Sequence, residues 1–358
     1  MRKILYVAST ESHLKRFHQP YINALREHDT VMTMANGDGV DFPIAFDKHF
    51  FSFTNVKNLF QIRKILKKER FDAVLLHTTL AAFWVRLALI GHKKKTYVLN
   101  TVHGYLFPLR LSGMKDRILL RCERMLWRVT DDIAVMNEED AEICKRYRLC
   151  RGNVYMTRGM GVSIDAKIPQ KDTALRAKYA PDPRTIVCLF VGELSHRKNQ
   201  QFLIRAIKRL SDEGLSIRLL LAGEGADRAM LEGMISENKL ENTVFLLGNQ
   251  EPILPFLSIA DLYVSASVSE GLPFNIMEAM SCGLPILASA TKGQTDLLEA
   301  VDGSLYPFDD MEAFCFCVRM LLKKEKLGVG SVTYSNLQKY RLDAVFEENM
   351  QLFLHSES

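Results

Sequence analysis

"SVSEGLPFNIMEAMSCGLPILAS", residues 267–289, carries two glutamates eight positions apart, Glu270 in a Gly- and Pro-rich turn and Glu278 inside a helical pattern. The preceding "DLYVSAS" reads as a buried strand that delivers the chain into "VSEGLP". Pro273 suits a first helical turn, where its missing N–H has no intrahelical partner. "FNIMEAMSC" then reads as a helix, Gly283 suits its C′ position, and "LPILAS" is the next strand. Strand, turn, helix and strand in this order form a unit of a parallel α/β sheet.

Backbone N–H groups near Gly271 to Asn275 are predicted to be unpaired and to point out of the helix N-terminus, a natural seat for phosphate. Glu270 sits beside that seat, and Glu278 lies one turn further in. A carboxylate accepts hydrogen bonds from hydroxyls and repels phosphate. The ligand this implies is a phosphate flanked by polyols, with a ribose on one side and a sugar on the other. The same spacing also fits a capped helix with one solvated and one structural glutamate.

Working outward, the same rhythm recurs. "KILYVAS" (3–9), "FDAVLLHT" (71–78), "KTYVLNTVH" (95–103) and "DDIAVMN" (131–137) read as strands buried on both faces, separated by helical patterns such as 56–70. The rhythm pauses at the polar, Pro-containing 168–185, a linker with a leading helix. It restarts with "TIVCLFVGEL", "SIRLLLAGEG", "NTVFLLGN" and "ADLYVSAS". Continuous apolar strands alternating with helices predict doubly wound parallel sheets. Two consecutive α/β domains follow, 1–167 and 168–333, with a helical tail over 334–358. In such sheets ligands bind beyond the carboxyl ends of the strands.

The chain has 358 residues, 47% of them hydrophobic and 25% charged, the composition of a globular protein long enough for two cores. A net charge of +5 is too small to point to nucleic acid, but suits an anionic small ligand or an anionic membrane surface. The seven cysteines are odd in number and form no CxxC pair, so they read as reduced cytosolic thiols. The CxC of Cys315 and Cys317 has no second cluster, and no metal is assigned. No apolar run reaches the roughly 18 residues a membrane span needs, so any membrane contact is expected to be peripheral.

A second motif, "FVGELSHRKNQQFLIRAI" (190–207), takes a strand end at Gly192 through Arg197 and Lys198 into a helix. Two cations beside a helix N-terminus suit a diphosphate, although a solvated basic turn has the same look. Together with 267–289, this segment resembles the retaining glycosyltransferases of family 4, especially those of capsular and exopolysaccharide assembly. The likeness runs over most of the chain, through "ESHLKRFHQPY", "TVHGYLF", "RGMGVSID", "LLLAGEG" and "IADLYVSAS".

The resemblance implies a GT-B fold, two Rossmann-like domains facing across a cleft, with the acceptor side in 1–167 and the nucleotide-sugar side in 168–333. It implies transfer of a sugar from a UDP-linked donor to a polyprenyl-diphosphate-linked or saccharide acceptor, with no metal or cofactor. Lys198 would bind the donor diphosphate and Glu278 the ribose hydroxyls. Glu270, with Gly271, Leu272, Pro273 and Phe274, would position sugar and phosphate. His103 would contact the transferred sugar. Ser9 and Thr10 would approach the phosphates, and Gly159 and Gly161 would form a turn near the hinge.

Three features depart from the family. Glu193 stands where an arginine is common, leaving Arg197 as the substitute cation. Ser163, with Asp165 two further on, ends the glycine turn. "STES" replaces a glycine-rich loop. The competing readings are a UDP-sugar epimerase of the same architecture and a non-catalytic nucleotide-sugar-binding partner of a synthase complex, which Glu193 would favour.

Weaker features remain. "AGEGADR" (222–228) and "NGDGVD" (36–41) are expected to be turns and not dinucleotide fingerprints. His13 and His18 are expected to flank the first helix, His13 as an ordinary surface residue, with a place facing the cleft as the alternative. Arg117, Arg121, Arg124 and Arg128 step by four, three and four into a basic stripe flanked by Leu120 and Trp127. Such a stripe suits anionic lipid or an acceptor diphosphate. The alternative is a solvated face paired with Asp116 and Glu123.

Overall fold

The computed structural model describes residues 1–47, 52–92, 95–162, 169–298, 305–323 and 337–354. It divides into two compact units, Met1–Val162 with Tyr340–Ser358, and Ser163–Lys339. Position 163, position 165 and both predicted domain boundaries lie outside the described residues.

The first unit holds seven parallel strands: β1 (Lys3–Thr10), β2 (Thr30–Asn36), β3 (Phe42–Pro43), β4 (Ala73–His77), β5 (Tyr97–Val102), β6 (Asp132–Val135) and β7 (Val154–Met156). Their order in space is β3-β2-β1-β4-β5-β6-β7. Alternate residues of β1 feed opposite faces, as strand geometry requires. Leu5 and Val7 pack with Ile62, Leu66 and Trp84 on one side, while Ile4 and Tyr6 pack with Tyr21, Ile22 and Phe353 on the other. Both faces are therefore dry, which is why the strand reads as one apolar run.

The helix Leu342–Leu354 completes that second face, with Met350, Leu352 and Phe353 in the cluster. Asn349 ties it down, its Nδ2 donating to Tyr21 Oη at 3.0 Å and to the Gly159 carbonyl at 2.9 Å. Gly161 has φ +79°, and a Cβ there would meet the Leu342 Cα at 2.6 Å. The glycine turn thus lets this returning helix approach closely.

The second unit repeats the plan with six parallel strands: β8 (Ile186–Val191), β9 (Ile217–Ala222), β10 (Val244–Gly248), β11 (Leu262–Ser265), β12 (Ile286–Ser289) and β13 (Leu305–Tyr306). The order is β10-β9-β8-β11-β12-β13. In each sheet the chain builds outward three strands, returns to the middle and builds the other way. That reversal opens a crevice between β1 and β4, and another between β8 and β11.

The sequence reading missed β2, β3, β7 and β13. β3 and β13 have two residues each and β7 three, too short for a periodic signal. β2, "TVMTMAN", is longer but carries two threonines and an asparagine. The leading helix in 168–185 is Thr173–Tyr179, capped by Asp172, which accepts from the Leu175 N–H at 2.9 Å.

Candidate functional site

The stretch 267–289 folds as its pattern predicts, with one adjustment. The helix is Phe274–Ser281, and Pro273 sits at its N-cap, its carbonyl accepting from Ile276 and Met277 at 3.1 and 3.2 Å. Gly283 adopts φ +71°. Its N–H reaches the Met280 carbonyl and that of Leu284 reaches Ala279, a Schellman closure. The predicted row of unpaired N–H groups is shorter than expected. The Phe274 N–H turns to the Leu272 carbonyl at 3.1 Å, and that of Glu270 is taken by the Lys292 carbonyl at 3.0 Å. Gly293 must be glycine, because at φ +78° a Cβ would lie 2.6 Å from the Glu270 carbonyl oxygen.

At the carboxyl end of β8, Gly192 (φ +153°) and Gly223 (φ +145°) let two loops pass in contact; a Cβ on Gly223 would lie 1.9 Å from the Gly192 carbonyl oxygen. "AGEGADR" is thus a strand-end turn shaped by loop packing. Lys198 and Arg197 follow, and Asn199 in the left-handed region at φ +54° starts the helix Gln200–Asp212. Gln200 braces the loop, its Nε2 donating to the Glu193 carbonyl at 2.7 Å.

The loops after β8 and β11 meet through charge. Lys198 Nζ lies 2.7 Å from Glu270 Oε1, and Arg197 donates to Glu270 Oε2 at 2.8 Å. Arg197 also donates to the Ser269 carbonyl at 2.9 Å, and its own carbonyl accepts from the Val268 N–H at 2.8 Å. Lys198 and Glu270 are buried, whereas Arg197 is partly exposed. Burial pushes the Glu270 carboxyl up, but the charges of Lys198 and Arg197 overcome this and hold it below the usual carboxylate range. The sequence reading aimed Glu270 at ligand hydroxyls; here both its oxygens accept from the two cations assigned to the diphosphate. Asn275 anchors the helix to β8, donating to the Val191 carbonyl at 2.6 Å. Burial, with the nearby charges of Glu278 and Glu270, pushes the phenol of Tyr263 on β11 up. Glu193 is exposed.

The equivalent edge of the first sheet is filled differently. Ser9, near the end of β1, is bound to Thr78, with its N–H 2.9 Å from Thr78 Oγ1. Thr10 caps the next helix by accepting from the His13 N–H at 3.3 Å. The chain then makes a π-helical turn over Leu14–His18 before the α-helix Gln19–Arg26. His13 and His18 are therefore parts of the first helical segment and do not flank it. His13 is half-buried, which corrects its reading as an ordinary surface residue, and His18 is fully buried. His77 ends β4 and His103 follows β5. The ring centroids of His13 and His103 are 5.4 Å apart, and those of His18 and His77 4.2 Å. Burial lowers the pKa of His13 to about 4 and that of His103 to about 3. Burial, then the neighbouring imidazoles, lowers His18 and His77 well below the ordinary value. His77 was not singled out in sequence, because a histidine ending an apolar strand looks like any strand terminus.

The basic stripe lies on the helix Met114–Met125 and the short turn Trp127–Val129. Arg117, Arg121, Arg124 and Arg128 are all exposed, but Leu120 is buried and does not flank them. Nor do the two acids pair with them. Asp116 accepts from the Ser112 N–H at 2.9 Å, and Glu123 is buried against Arg86 at 2.9 Å. Met114, Ile118, Met125 and Trp127 are exposed beside the arginines. A groove of about 1280 Å³ runs along this face, lined by Arg121, Arg124, Lys145, Arg146, Arg148 and Arg151 among others, with no acidic side chain among the described residues of its wall. No helix among the described residues is long and apolar enough to cross a membrane.

Each half of the chain matches a known family. The model of Glycosyltransferase Family 4 matches residues 12–157, and that of Glycosyl transferases group 1 matches 171–330. The chain is 29% identical over 339 residues, 91% of its own length and 89% of the relative's, to Bacillus subtilis EpsD, a glycosyltransferase by name. It is 27% identical over 290 residues, 79% of this chain and 74% of the relative, to the Escherichia coli UDP-Gal:alpha-D-GlcNAc-diphosphoundecaprenol alpha-1,3-galactosyltransferase. Among solved structures, Anabaena Alr3699/HepE in complex with UDP and glucose matches with a TM-score of 0.76 at 17% identity, over 99% of this chain and 100% of that one. Sucrose-phosphate synthase from Thermosynechococcus elongatus matches with a TM-score of 0.79 at 17% identity, over 99% of each chain. These likenesses and the paired sheets identify the fold as GT-B.

Proposed function

From the premise that the chain belongs to the family 4 glycosyltransferases, we propose that it moves a sugar from a UDP-linked donor to a lipid-linked or saccharide acceptor in cell-surface polysaccharide synthesis, with retention of anomeric configuration. The observation that carries this reading is the meeting of Lys198, Arg197 and Glu270 at the crevice between β8 and β11. An anion beside a buried cation offsets the cost of its burial. Glu270 fills that place until a diphosphate arrives, and Lys198 and Arg197 then turn to the phosphate oxygens. The cations stabilise the charge that grows on the departing nucleotide, so its departure needs no metal ion. Glu270, released in part, accepts from a sugar hydroxyl. Glu278, one turn along the helix, holds the ribose. His103 supplies the first domain's contact to the transferred sugar.

The uridine base and the polyprenyl-diphosphate acceptor are supported by the printed activity of the Escherichia coli relative. The basic, partly apolar face of 114–128 supports peripheral attachment to the inner, anionic face of the cytoplasmic membrane, where such an acceptor resides. The test is a thermal-shift screen against a panel of nucleotide-sugars, followed by product analysis with and without polyprenyl-diphosphate-linked sugars. The expected result is stabilisation by one UDP-sugar and acceptor-dependent release of UDP. Sugar conversion without any acceptor would assign an epimerase, and tight binding without turnover a non-catalytic partner.

A further inference from the structure

We propose that Gln294, acting through Ser267, is a positioning residue for sugar transfer: its buried amide clamps the turn that carries Glu270. The inference rests on the function proposed above, which gives Glu270 the donor sugar to position.

The turn after β11 lies against the loop 289–294, which leaves the neighbouring β12. Three donors from that loop converge on one atom. The Ser267 carbonyl oxygen accepts from Ser289 Oγ at 2.8 Å, from Thr291 Oγ1 at 2.9 Å and from Gln294 Nε2 at 3.1 Å. A carbonyl oxygen has two lone pairs, so three donors more than fill it. The two hydroxyls spend their protons there, and their own oxygens accept from the same amide. Gln294 Nε2 lies 2.9 Å from Ser289 Oγ and 2.8 Å from Thr291 Oγ1. Gln294 thus closes a network centred on Ser267, and Ser265, Ser267, Ser289 and Gln294 are all buried. The same loop holds Glu270 through the backbone. The Glu270 N–H donates to the Lys292 carbonyl at 3.0 Å, and a Cβ on Gly293 would lie 2.6 and 2.7 Å from the carbonyl oxygens of Glu270 and Gly271.

The side chain of Ser267 reaches Glu270 itself. Its hydroxyl accepts from Ser265 Oγ at 3.3 Å and donates to the Glu270 carboxylate. Burial raises that carboxyl, while Lys198, Arg197 and then this hydroxyl lower it. Packing alone does not call for an amide at 294. Gln294 Oε1 is buried with no hydrogen-bond partner among the described residues. An unpaired buried carbonyl is costly, and a methionine would fill similar space without that cost. What the amide supplies in return is the hold of its N–H groups on the turn. Precision matters there, since a misplacement of about 1 Å can cost about 10²-fold in rate.

Gln294→Met and Ser267→Ala in the full chain test the two ends of the clamp. Gln294→Met should keep the unfolding midpoint of the wild type and lower kcat by about 10–100-fold. The donor KM should change little, because Lys198 and Glu278 are untouched. Amide hydrogens of 268–273, followed by mass spectrometry without substrate, should exchange faster than in the wild type. Ser267→Ala keeps the carbonyl and loses the hydroxyl, so the acidic limb of its kcat profile should move to higher pH. Wild-type kcat in Gln294→Met, a loss of turnover that tracks a lower midpoint, unaltered exchange in 268–273 or an unmoved acidic limb in Ser267→Ala overturns the inference. Exchange is read independently of turnover. Faster exchange in Gln294→Met, beside a wild-type chain that transfers no sugar, therefore sinks the proposed function and leaves the clamp. Equal transfer by the wild type and Gln294→Met sinks the clamp alone.

Discussion

Between β8 and β11 the second domain gathers Arg197, Lys198 and Glu270, whereas the crevice edge beside β1, β4 and β5 in the first domain gathers His13, His18, His77 and His103. The strand order around the two crevices is the same. Both places are largely dry, and both hold several titratable groups. In one, opposite charges pair, and the two cations hold the Glu270 carboxyl below the usual carboxylate range. In the other, no carboxylate among the described residues answers the imidazoles, and burial removes their charge. A shared scaffold thus carries one crevice of paired opposite charges and one of neutral imidazoles. Sequence-local choices after each strand make the difference: "SHRKN" in one loop and "STESH" in the other.

The sharpest way to break the comparison is to remove the anion from the charged site. Glu270→Ala leaves Lys198 buried without its partner and should lower the unfolding free energy by about 3–5 kcal/mol in urea titrations. Combining it with Lys198→Met should recover a large part of the loss. If the single and double variants are equally unstable, Glu270 serves packing and not charge. Lys198→Ala should reduce sugar transfer by about 10²–10³-fold while the chain stays folded. Retained turnover would dismiss Lys198 as the diphosphate cation.

Acid should separate the two sites by window. A buried histidine whose folded pKa is depressed contributes stability that is complete above the unfolded value of 6.5 and is lost as pH falls through the folded value, about 4 for His13 and about 3 for His103. Glu270, depressed from 4.5, begins to lose its contribution only below that value. Between pH 6.5 and 4.5 the histidines should therefore carry the decline, at about 2 kcal/mol per buried ring by pH 5. His13→Asn should flatten the stability profile in this window, and Glu270→Gln should leave its slope unchanged. The reverse result would show that the histidine cluster is wet and charged.

These contrasts were legible in sequence to unequal degrees. The strand–turn–helix around Glu270, the Gly283 cap and the cationic loop at Lys198 are local patterns, and local geometry settles them. The pairing of Glu270 with Arg197 and Lys198 joins loops more than 70 residues apart. Only the order of β8 beside β11 brings them together. The histidines were harder to find, since 13, 18, 77 and 103 share no period. His13 and His18 align only because an α-helical spacing is broken by a π-turn. Nor does the sequence reveal that Glu123 turns inward to a fully buried Arg86 and leaves the stripe beside it without that acid.

That last displacement yields the smallest of the expected effects. The first domain keeps charge out of its crevice and places it on the outer face of 114–128. There Arg117, Arg121, Arg124 and Arg128 form no ion pair among the described residues, and Met114, Ile118, Met125 and Trp127 stand exposed beside them. An arginine near an anionic bilayer contributes about 1 kcal/mol, screened beyond a Debye length. Arg121→Glu with Arg124→Glu should therefore weaken binding to vesicles rich in anionic lipid by at least tenfold at low salt, with little change on neutral vesicles. The unfolding midpoint should not move, because neither side chain braces the fold. A salt-independent loss would point to the exposed apolar residues as the anchor. Unchanged binding would mean that the basic groove faces a soluble polyanion, and that this domain's charge serves the acceptor and not the membrane.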